Sequence, residues 1–223
     1  CAAKTNLEEC ELNKSESFNV NTLGAINLLK ACANLRIKFI HISSGCLFDG
    51  NDSVKTEESV PEPRVWYTRT KTWADEFILN YGYDDYLILR PRQLITAMPH
   101  KSNMLTKFYN MDSIAAITEQ NSLTCIEDFG DMINHLIDVG ATGIYNCCND
   151  GTVSPYEIAI SIKEAIKPDF KVSKTSYEDF LSTIENKRVN TILSNEKLKS
   201  TGFNIRTAQE ALAWCLENYS KRD

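Results

Sequence analysis

Several features are missing from this sequence of 223 residues, and each absence argues against a class of protein. No apolar run approaches the roughly 18 to 20 residues that a membrane-spanning helix needs, so no such helix is expected. No basic run occurs, and 30 Asp and Glu outnumber 24 Lys and Arg, which argues against binding to nucleic acid or to a membrane surface. The first residues show no signal peptide pattern, so we expect a cytoplasmic protein.

No Cys-x-x-Cys pair occurs among the eight cysteines, so the spacing predicts neither a zinc ribbon nor a thioredoxin-type redox site. The cysteines are scattered, and most lie in apolar runs such as LLKAC and IYNCC. This placement favours buried free thiols in a reducing compartment over a disulfide framework. The three histidines are isolated too, and His41 falls in an apolar run where a core role is expected. We therefore predict no metal site.

The spacing of apolar residues in the first half predicts helices alternating with short buried strands. Apolar positions recur at helical spacing over residues 15 to 36 and 67 to 81, and β-branched runs at 38 to 44 and 86 to 91 follow them. A polar loop containing Gly50 and two prolines separates the first strand from the second helix. This alternation is typical of an α/β fold with a doubly wound parallel sheet.

The second half shows a looser pattern. Further elements are predicted as helices at residues 102 to 111, 128 to 139, 155 to 166 (capped by Ser154) and 207 to 220, and as a strand at 142 to 148. We expect residues 1–96 and a strand near 142–150 to form the sheet portion, with 97–141 and 151–223 mainly a small substrate-binding lobe of one intertwined unit.

One group of residues points to chemistry on a carbonyl. Ser44 ends the first strand, and Tyr67 and Lys71 open the next helix, where positions four apart share a face. An ammonium beside a phenol favours the phenolate, which lowers the phenol pKa from about 10 and allows proton exchange at neutral pH. A serine hydroxyl can hold the same carbonyl oxygen. The alternative for this weak motif is an ordinary helix with an exposed lysine.

The order of six sequence blocks strengthens the catalytic interpretation. The blocks are AAKTNLEECE, FNVNTLGAINLLKAC, HISSGCLFDG, WYTRTKTWADE, LILRPRQLI and TGIYNCCNDGTVSPYEIA. Together they resemble the extended short-chain dehydrogenase/reductases, and most of all the dTDP-4-dehydrorhamnose reductase branch, over essentially the whole chain. The resemblance implies a Rossmann-like fold, NADH or NADPH as cofactor, and reduction of a nucleotide-linked 4-keto-6-deoxy sugar. A homodimer is the candidate assembly.

The resemblance also assigns roles to residues. Ser44, Tyr67 and Lys71 match the family's catalytic set, with Tyr67 as proton donor, Lys71 tuning Tyr67 and holding the nicotinamide ribose, and Ser44 binding the C4 oxygen. The cofactor-binding residues that it implies are Ala2, Ala3, Lys4, Tyr67, Lys71, Pro91, Gln93 and Leu94. Trp66 is a candidate wall of the sugar site, with plain packing as its alternative.

One departure from the family concerns the phosphate-binding turn. None of the nine glycines forms a G-x-x-G-x-x-G or G-x-G-x-x-G pattern, which family members carry about fifty to sixty residues before the AA-x-T turn. The sequence also begins with Cys1 rather than methionine. We expect the first βαβ portion to be missing from this sequence, and the 223 residues alone to be inactive.

A second departure concerns Cys46. Where simple reductases of the branch usually read S-T-D-Y, this chain reads Ser43-Ser-Gly-Cys46, which looks like the GDP-fucose synthases and the plant-type UDP-4-keto-6-deoxyglucose 3,5-epimerase/4-reductases. Those enzymes pair the cysteine with a His or Lys, and the match falls on Lys107, in a stretch that also offers Asn103 for substrate binding. A thiol and an amine can remove and return a proton beside a ketone. In the alternative interpretation, Cys46 is a small buried packing residue and Lys107 is a solvated helix residue.

Two other functions are compatible with the same sequence. The first is epimerase or dehydratase chemistry on the same fold, in which the hydride returns to the substrate and no cofactor is consumed. The second is a regulatory subunit without catalytic activity. The intact Ser-Tyr-Lys set favours an enzyme over this second alternative.

Overall fold

Helices and strands alternate along the chain in the computed structural model, which describes residues 2–50, 53–184 and 190–219. The α-helices are α1 Leu7–Leu12, α2 Lys14–Phe18, α3 Gly24–Leu35, α4 Trp66–Asn80, α5 Met104–Tyr109, α6 Ile126–Asp138, α7 Pro155–Ala165, α8 Tyr177–Ser182, α9 Glu196–Lys199 and α10 Ala208–Glu217. The strands are β1 Phe39–Ile42, β2 Tyr86–Arg90, β3 Leu94–Ile95, β4 Ser113–Ile117, β5 Thr124–Cys125, β6 Gly143–Asn146 and β7 Lys171–Thr175.

A parallel three-stranded sheet in the order β1-β2-β6 positions the predicted catalytic residues. Ile42 is in register with Leu89, and Arg90 with Asn146, so the carboxyl ends of the three strands meet along one edge. In open α/β sheets this edge is where ligands bind. The α/β fold that the sequence predicts is confirmed.

Both faces of the sheet are covered, because consecutive strand residues point to opposite sides. On one side Ile88 packs with Leu29 of α3 and Ile78 of α4. On the other side Leu87 and Leu89 pack against α6. The sheet is therefore doubly wound. Helix α6, although it lies in the segment predicted to belong mainly to the lobe, covers the sheet.

A second apolar cluster lies beside the sheet. Its buried members come from β3, α5, β5, α7 and α10, and include Ile95, Leu105, Ile158 and Leu212. A parallel pair, β4 with β7, extends this part of the chain. The sequence analysis missed both strands, because most of their residues are partly or fully exposed and carry no continuous apolar run.

The predicted first helix is interrupted by a π-helical turn at Asn19–Leu23 between α2 and α3. Asn21 in this turn is buried, and its side chain accepts from Lys4 N at 2.8 Å. Its amide donates to Lys4 O at 2.9 Å and to Thr70 Oγ1 of α4 at 3.1 Å. The π turn, a feature frequent at functional sites, therefore fastens the beginning of the chain to the helix that carries Tyr67.

The described cysteines are all free thiols, and five of the seven are buried. Cys1 lies outside the described residues. The prediction of mostly buried free thiols is confirmed for this part of the chain. Burial raises the pKa of the Cys148 thiol to about 12, so it stays protonated. No helix within the described ranges is both long and apolar enough to cross a membrane.

Replacing Asn21 with alanine tests the fastening of the chain start. The variant removes the side chain that pairs with both backbone groups of Lys4, and we expect it to lower the free energy of unfolding by about 1–3 kcal/mol. Asn80→Ala is the control, because Asn80 is exposed and donates only to Glu76 O within its own helix. Its cost should stay below about 0.5 kcal/mol. Equal losses in urea unfolding would contradict the role assigned to Asn21.

Candidate active site

Helix α4 brings three polar side chains over the end of β1. Tyr67, Lys71 and Asp75 are spaced at four-residue intervals, so they lie along one face of the helix. Lys71 and Asp75 are buried, and Tyr67 is half-buried. Ser44, two residues after the end of β1, is buried, and its side-chain oxygen accepts from Cys46 N at 3.1 Å.

The ammonium of Lys71 contacts two residues of strand β1. Its Nζ donates to Ile42 O at 2.7 Å and lies 3.3 Å from His41 Nε2. Burial lowers the pKa of Lys71 to about 8, although the negative charge of Asp75 acts to raise it. Burial and the charge of Lys71 lower the pKa of His41 to about 3, so the imidazole is neutral and its Nε2 accepts from Lys71. His41 is therefore a core residue, as predicted, but one in direct contact with Lys71.

Asp75 connects the helix to two strands. Its Oδ2 accepts from Ser43 Oγ at 2.8 Å and from Arg90 Nη2 at 3.4 Å. Burial raises the pKa of this carboxyl, while Arg90, Ser43 and Lys71 lower it. The sequence analysis missed Asp75 and Arg90. Two signals were available: the four-residue spacing from Lys71 and a lone arginine in the apolar strand YLILRP.

The expected lowering of the Tyr67 pKa is wrong. Burial raises the pKa of the Tyr67 phenol, the charge of Cys46 acts in the same direction, and a hydrogen bond with the Ser44 side chain lowers it. The ammonium of Lys71 contacts Ile42 O at 2.7 Å and His41 Nε2 at 3.3 Å. Tyr67 is consequently a protonated phenol at neutral pH. The structure does bring Ser44, Cys46 and Tyr67 together, and their catalytic roles stay predictions.

The partner of Cys46 is an arginine that the sequence analysis did not single out. Arg92 Nη1 lies 2.9 Å from Cys46 Sγ, and its Nη2 donates to Asn121 Oδ1 at 2.9 Å. Lys107, the predicted partner, is exposed in the last turn of α5. Its side chain makes no hydrogen bond or ion pair with the residues that the structure describes. Lys107 therefore remains a candidate only from the resemblance.

Gly45 allows the close approach between the Ser44–Cys46 turn and the loop that carries Arg92. A Cβ at this position would lie 2.6 Å from Leu193 Cδ1 and 3.1 Å from Arg92 Cβ, which no side chain tolerates without displacement. Its backbone N–H donates to Pro91 O at 2.8 Å. The turn therefore depends on glycine here.

The turn after β2 carries the predicted cofactor residues Pro91, Gln93 and Leu94. Gln93 has a left-handed φ of 47°, which costs a non-glycine residue about 1–3 kcal/mol and is found mostly at functional sites. Its side-chain Oε1 is buried and has no hydrogen-bond partner within the described ranges. Leu94 is 43% exposed. The turn thus offers a buried acceptor beside an exposed apolar side chain.

The beginning of the chain carries the remaining predicted cofactor-binding residues, Ala2, Ala3 and Lys4. Ala2 and Ala3 are exposed, and Lys4 forms an ion pair with Glu16 at 2.8 Å. The contacts of Asn21 described above hold the backbone of Lys4 near α4. Their role toward a cofactor stays a prediction.

Trp66 and Asn103 have structural contacts that occupy their polar groups. The indole N–H of Trp66 donates to Lys14 O at 3.0 Å, a contact that favours the packing role over the wall of the sugar site. The amide of Asn103 donates to Thr96 O at 2.7 Å and Met98 O at 3.1 Å, and it also caps α5. These contacts give Asn103 a loop-closing role and leave neither of its N–H groups for a sugar.

The depressed pKa of His41 is open to measurement. Between pH 3 and pH 6.5 the unfolded chain binds a proton that the folded chain excludes, so stability falls as the pH drops through this window by about 1.4 kcal/mol per unit from His41. NMR signals of the His41 ring should not titrate between about pH 5 and 8. In Lys71→Met the second cause is removed, and the pKa of His41 should rise. A His41 midpoint near 6.5 in the wild type would contradict this picture.

The chain is similar to a known domain family and to several known enzymes. The RmlD substrate binding domain family matches residues 1–221. The bifunctional dTDP-4-dehydrorhamnose 3,5-epimerase/dTDP-4-dehydrorhamnose reductase of Arabidopsis thaliana is 27% identical over 218 residues, covering 94% of this chain and 71% of the relative. A trifunctional UDP-glucose 4,6-dehydratase/UDP-4-keto-6-deoxy-D-glucose 3,5-epimerase/UDP-4-keto-L-rhamnose-reductase of the same plant is 25% identical, covering 94% of this chain and 32% of the relative.

Solved structures show the same fold. The dTDP-4-dehydrorhamnose reductase of Bacillus anthracis, solved in complex with NADP, aligns with a TM-score of 0.86 at 24% identity, covering 98% of this chain and 78% of that chain. The resemblance noted from the sequence blocks is confirmed, and it extends from one end of the chain to the other. Because the family matches nearly every residue, this chain belongs to the RmlD substrate binding domain family.

Proposed function

We propose that this site reduces the keto group of a nucleotide-linked 4-keto-6-deoxy sugar with a nicotinamide cofactor. The observation that carries the proposal is the arrangement at the carboxyl edge of the parallel sheet, where Ser44 follows β1 and Lys71, one turn after Tyr67 on α4, donates to Ile42 O at 2.7 Å. The reductase activities named for the plant relatives support the substrate class.

The raised pKa of Tyr67 suits reduction rather than oxidation. Hydride addition to a ketone leaves negative charge on the carbonyl oxygen, and a protonated phenol donates a proton to it as that charge develops. Ser44 donates a second hydrogen bond to the same oxygen. Lys71 supplies fixed positive charge beneath the site, since its Nζ is anchored on Ile42 O.

Gln93 and Leu94 fit the nicotinamide end of NADH or NADPH. The buried Oε1 of Gln93 needs an N–H donor, which the carboxamide of the cofactor provides, and Leu94 offers apolar surface to a flat ring. The bound cofactor would supply the hydride. The 223 residues contain no glycine-rich turn, so the contacts to the pyrophosphate are not among them.

The proposed catalytic and sugar-binding roles fall on different parts of the chain. The three proposed catalytic residues lie in the sheet portion, residues 1–96 with the strand near 142–150. We assign sugar binding mainly to residues 97–141 and 151–223. A cytoplasmic location and a homodimer stay predictions from the sequence.

Replacing Tyr67 tests the reductase proposal. In the full-length gene product, Tyr67→Phe should lower the rate of NAD(P)H oxidation with a 4-keto-6-deoxy sugar nucleotide by about 10² to 10⁴-fold, the usual effect of losing a positioned general acid. Tyr81→Phe, on an exposed tyrosine after the same helix, is the matched control and should keep its activity. A wild type that oxidises no cofactor with a panel of such substrates, while a known reductase does, would refute the proposal.

A second activity, epimerisation at the carbons beside the ketone, has one specific observation in its favour. The guanidinium of Arg92 contacts Cys46 Sγ at 2.9 Å and is placed to stabilise negative charge that develops on the sulfur. Cys46 is then the base that removes a proton from the carbon. Arg92 cannot return it, because a guanidinium does not release its proton in proteins. An acid on the other ring face is still required, and Lys107 is the candidate.

Isotope exchange separates the two activities. In the complete protein, Cys46→Ser and Lys107→Ala should abolish incorporation of solvent deuterium at C3 and C5 and should still reduce a substrate of the correct stereochemistry. Tyr67→Phe should do the reverse. Cys32→Ser, a half-buried thiol on α3, is the control and should exchange normally. Absence of exchange in the wild type would rule out epimerisation and leave the reductase proposal intact.

A stoichiometric partner enzyme that co-purifies with an inactive chain would instead favour the regulatory alternative. Cofactor stoichiometry distinguishes the epimerase or dehydratase alternative, since only the reductase consumes one NAD(P)H per product.

A further inference from the structure

Three side chains with metal-ligating atoms converge outside the Ser44–Tyr67–Lys71 set. Cys125 ends β5 immediately before α6, Glu127 lies in the first turn of α6, and Cys215 lies on α10. Their ligand atoms are all within 4.8 Å of one another. The sequence spacing did not predict this cluster, because Cys125 and Cys215 are 90 positions apart.

The distances within the cluster match those around a tetrahedral zinc ion. Cys125 Sγ and Cys215 Sγ are 3.6 Å apart. Two thiolates at about 2.3 Å from a tetrahedral Zn²⁺ are roughly 3.8 Å apart, whereas a disulfide brings the sulfurs to about 2.05 Å. Glu127 Oε2 is 3.1 Å from Cys125 Sγ, a few tenths of an ångström from the sulfur–oxygen separation of such a site.

The carboxylate of Glu127 is already oriented toward the sulfurs. Its other oxygen, Oε1, accepts from Thr96 Oγ1 at 2.7 Å and from Ala97 N at 3.2 Å, so Oε2 is the one that faces Cys125. Outer contacts of this kind fix the geometry of metal ligands. Both sulfurs are fully buried, and Glu127 borders a surface cavity.

The surrounding charges suit a cation with two thiolates. Two thiolates and one carboxylate carry three negative charges, which one divalent ion reduces to a single negative charge. Arg206 Nη2 lies 3.9 Å from Cys125 Sγ and offsets part of the remainder, although Asp128 shares that guanidinium. Thiolate ligands select Zn²⁺ over Mg²⁺ and Ca²⁺, which prefer oxygen.

We infer that Cys125, Glu127 and Cys215 bind one thiophilic divalent cation, with Zn²⁺ as the best fit, and that water completes its coordination. The ion joins the beginning of α6 to α10 and so ties the sheet to the C-terminal helix. Two thiol protons leave when it binds, one from each cysteine.

Zinc and cobalt titrations of the purified chain test the inference. The wild type should bind one equivalent of Zn²⁺, and Co²⁺ should give a thiolate-to-cobalt charge-transfer band. Cys125→Ser and Cys215→Ser should each lose the band and weaken Zn²⁺ binding at least tenfold, about the least that even an outer-shell contact costs. Cys148→Ser, a buried thiol outside the cluster, is the matched control and should bind like the wild type.

Glu127→Gln keeps the experiment decisive if a buried cysteine variant fails to fold. This partly exposed side chain can be changed with the fold intact, as circular dichroism will show, and Zn²⁺ binding should still weaken at least about tenfold. Zn²⁺ should also raise the melting temperature of the wild type and not that of Cys215→Ser. A wild type that binds no Zn²⁺ above the level of Cys125→Ser, or one in which the two cysteines form a disulfide instead, would overturn the inference.

Discussion

The burial of the Asp75 carboxylate is the constraint on which the catalytic end of the sheet depends. Removing one ion from water costs several kcal/mol, and only close partners offset that cost. Ser43 and Arg90 contact Asp75 directly, and the charge of Lys71 adds to theirs. These partners lie at the end of β1, at the end of β2 and on α4. The contacts of one carboxylate oxygen, Oδ2, thus fix the helix over two strands, and with it the position of Tyr67, two turns earlier on the same face.

That arrangement also explains why the lysine and the tyrosine do not act as a simple pair. Lys71 points down to Ile42 O and His41, so its charge serves the buried network. Tyr67 loses hydration, and burial raises its pKa. A phenol that keeps its proton can donate it to an alkoxide as the alkoxide forms. The helical spacing of Tyr67 and Lys71 fixes which face they share, but not the direction in which the ammonium donates.

The sequence predicts those parts of the fold in which burial imposes a repeating pattern. The strands β1, β2 and β6 pack their apolar residues against α3 and α4 on one face of the sheet and against α6 on the other, so period and length reveal these elements. Strands β4 and β7 are largely exposed and leave no such pattern. The Cys46–Arg92 contact was beyond prediction for a different reason. The contact depends on the close approach of two loops at Gly45, which has no side chain. The spacing of Cys46 and Arg92 in the sequence does not indicate that these loops are in contact.

Burial and neighbouring charge assign different chemistry to the cysteines of this one chain. Cys46 is half-buried beside the permanent cation of Arg92, where a sulfur that takes up negative charge is stabilised and remains accessible to a substrate. Cys148 is buried with its Sγ 3.8 Å from Leu193 O, and its raised pKa keeps it an inert apolar side chain. Cys125 and Cys215 are equally buried but face each other and Glu127, so negative charge on them requires a cation between them. The same thiol is therefore suited to proton transfer, to packing or to metal binding according to what lies within about 4 Å of its sulfur.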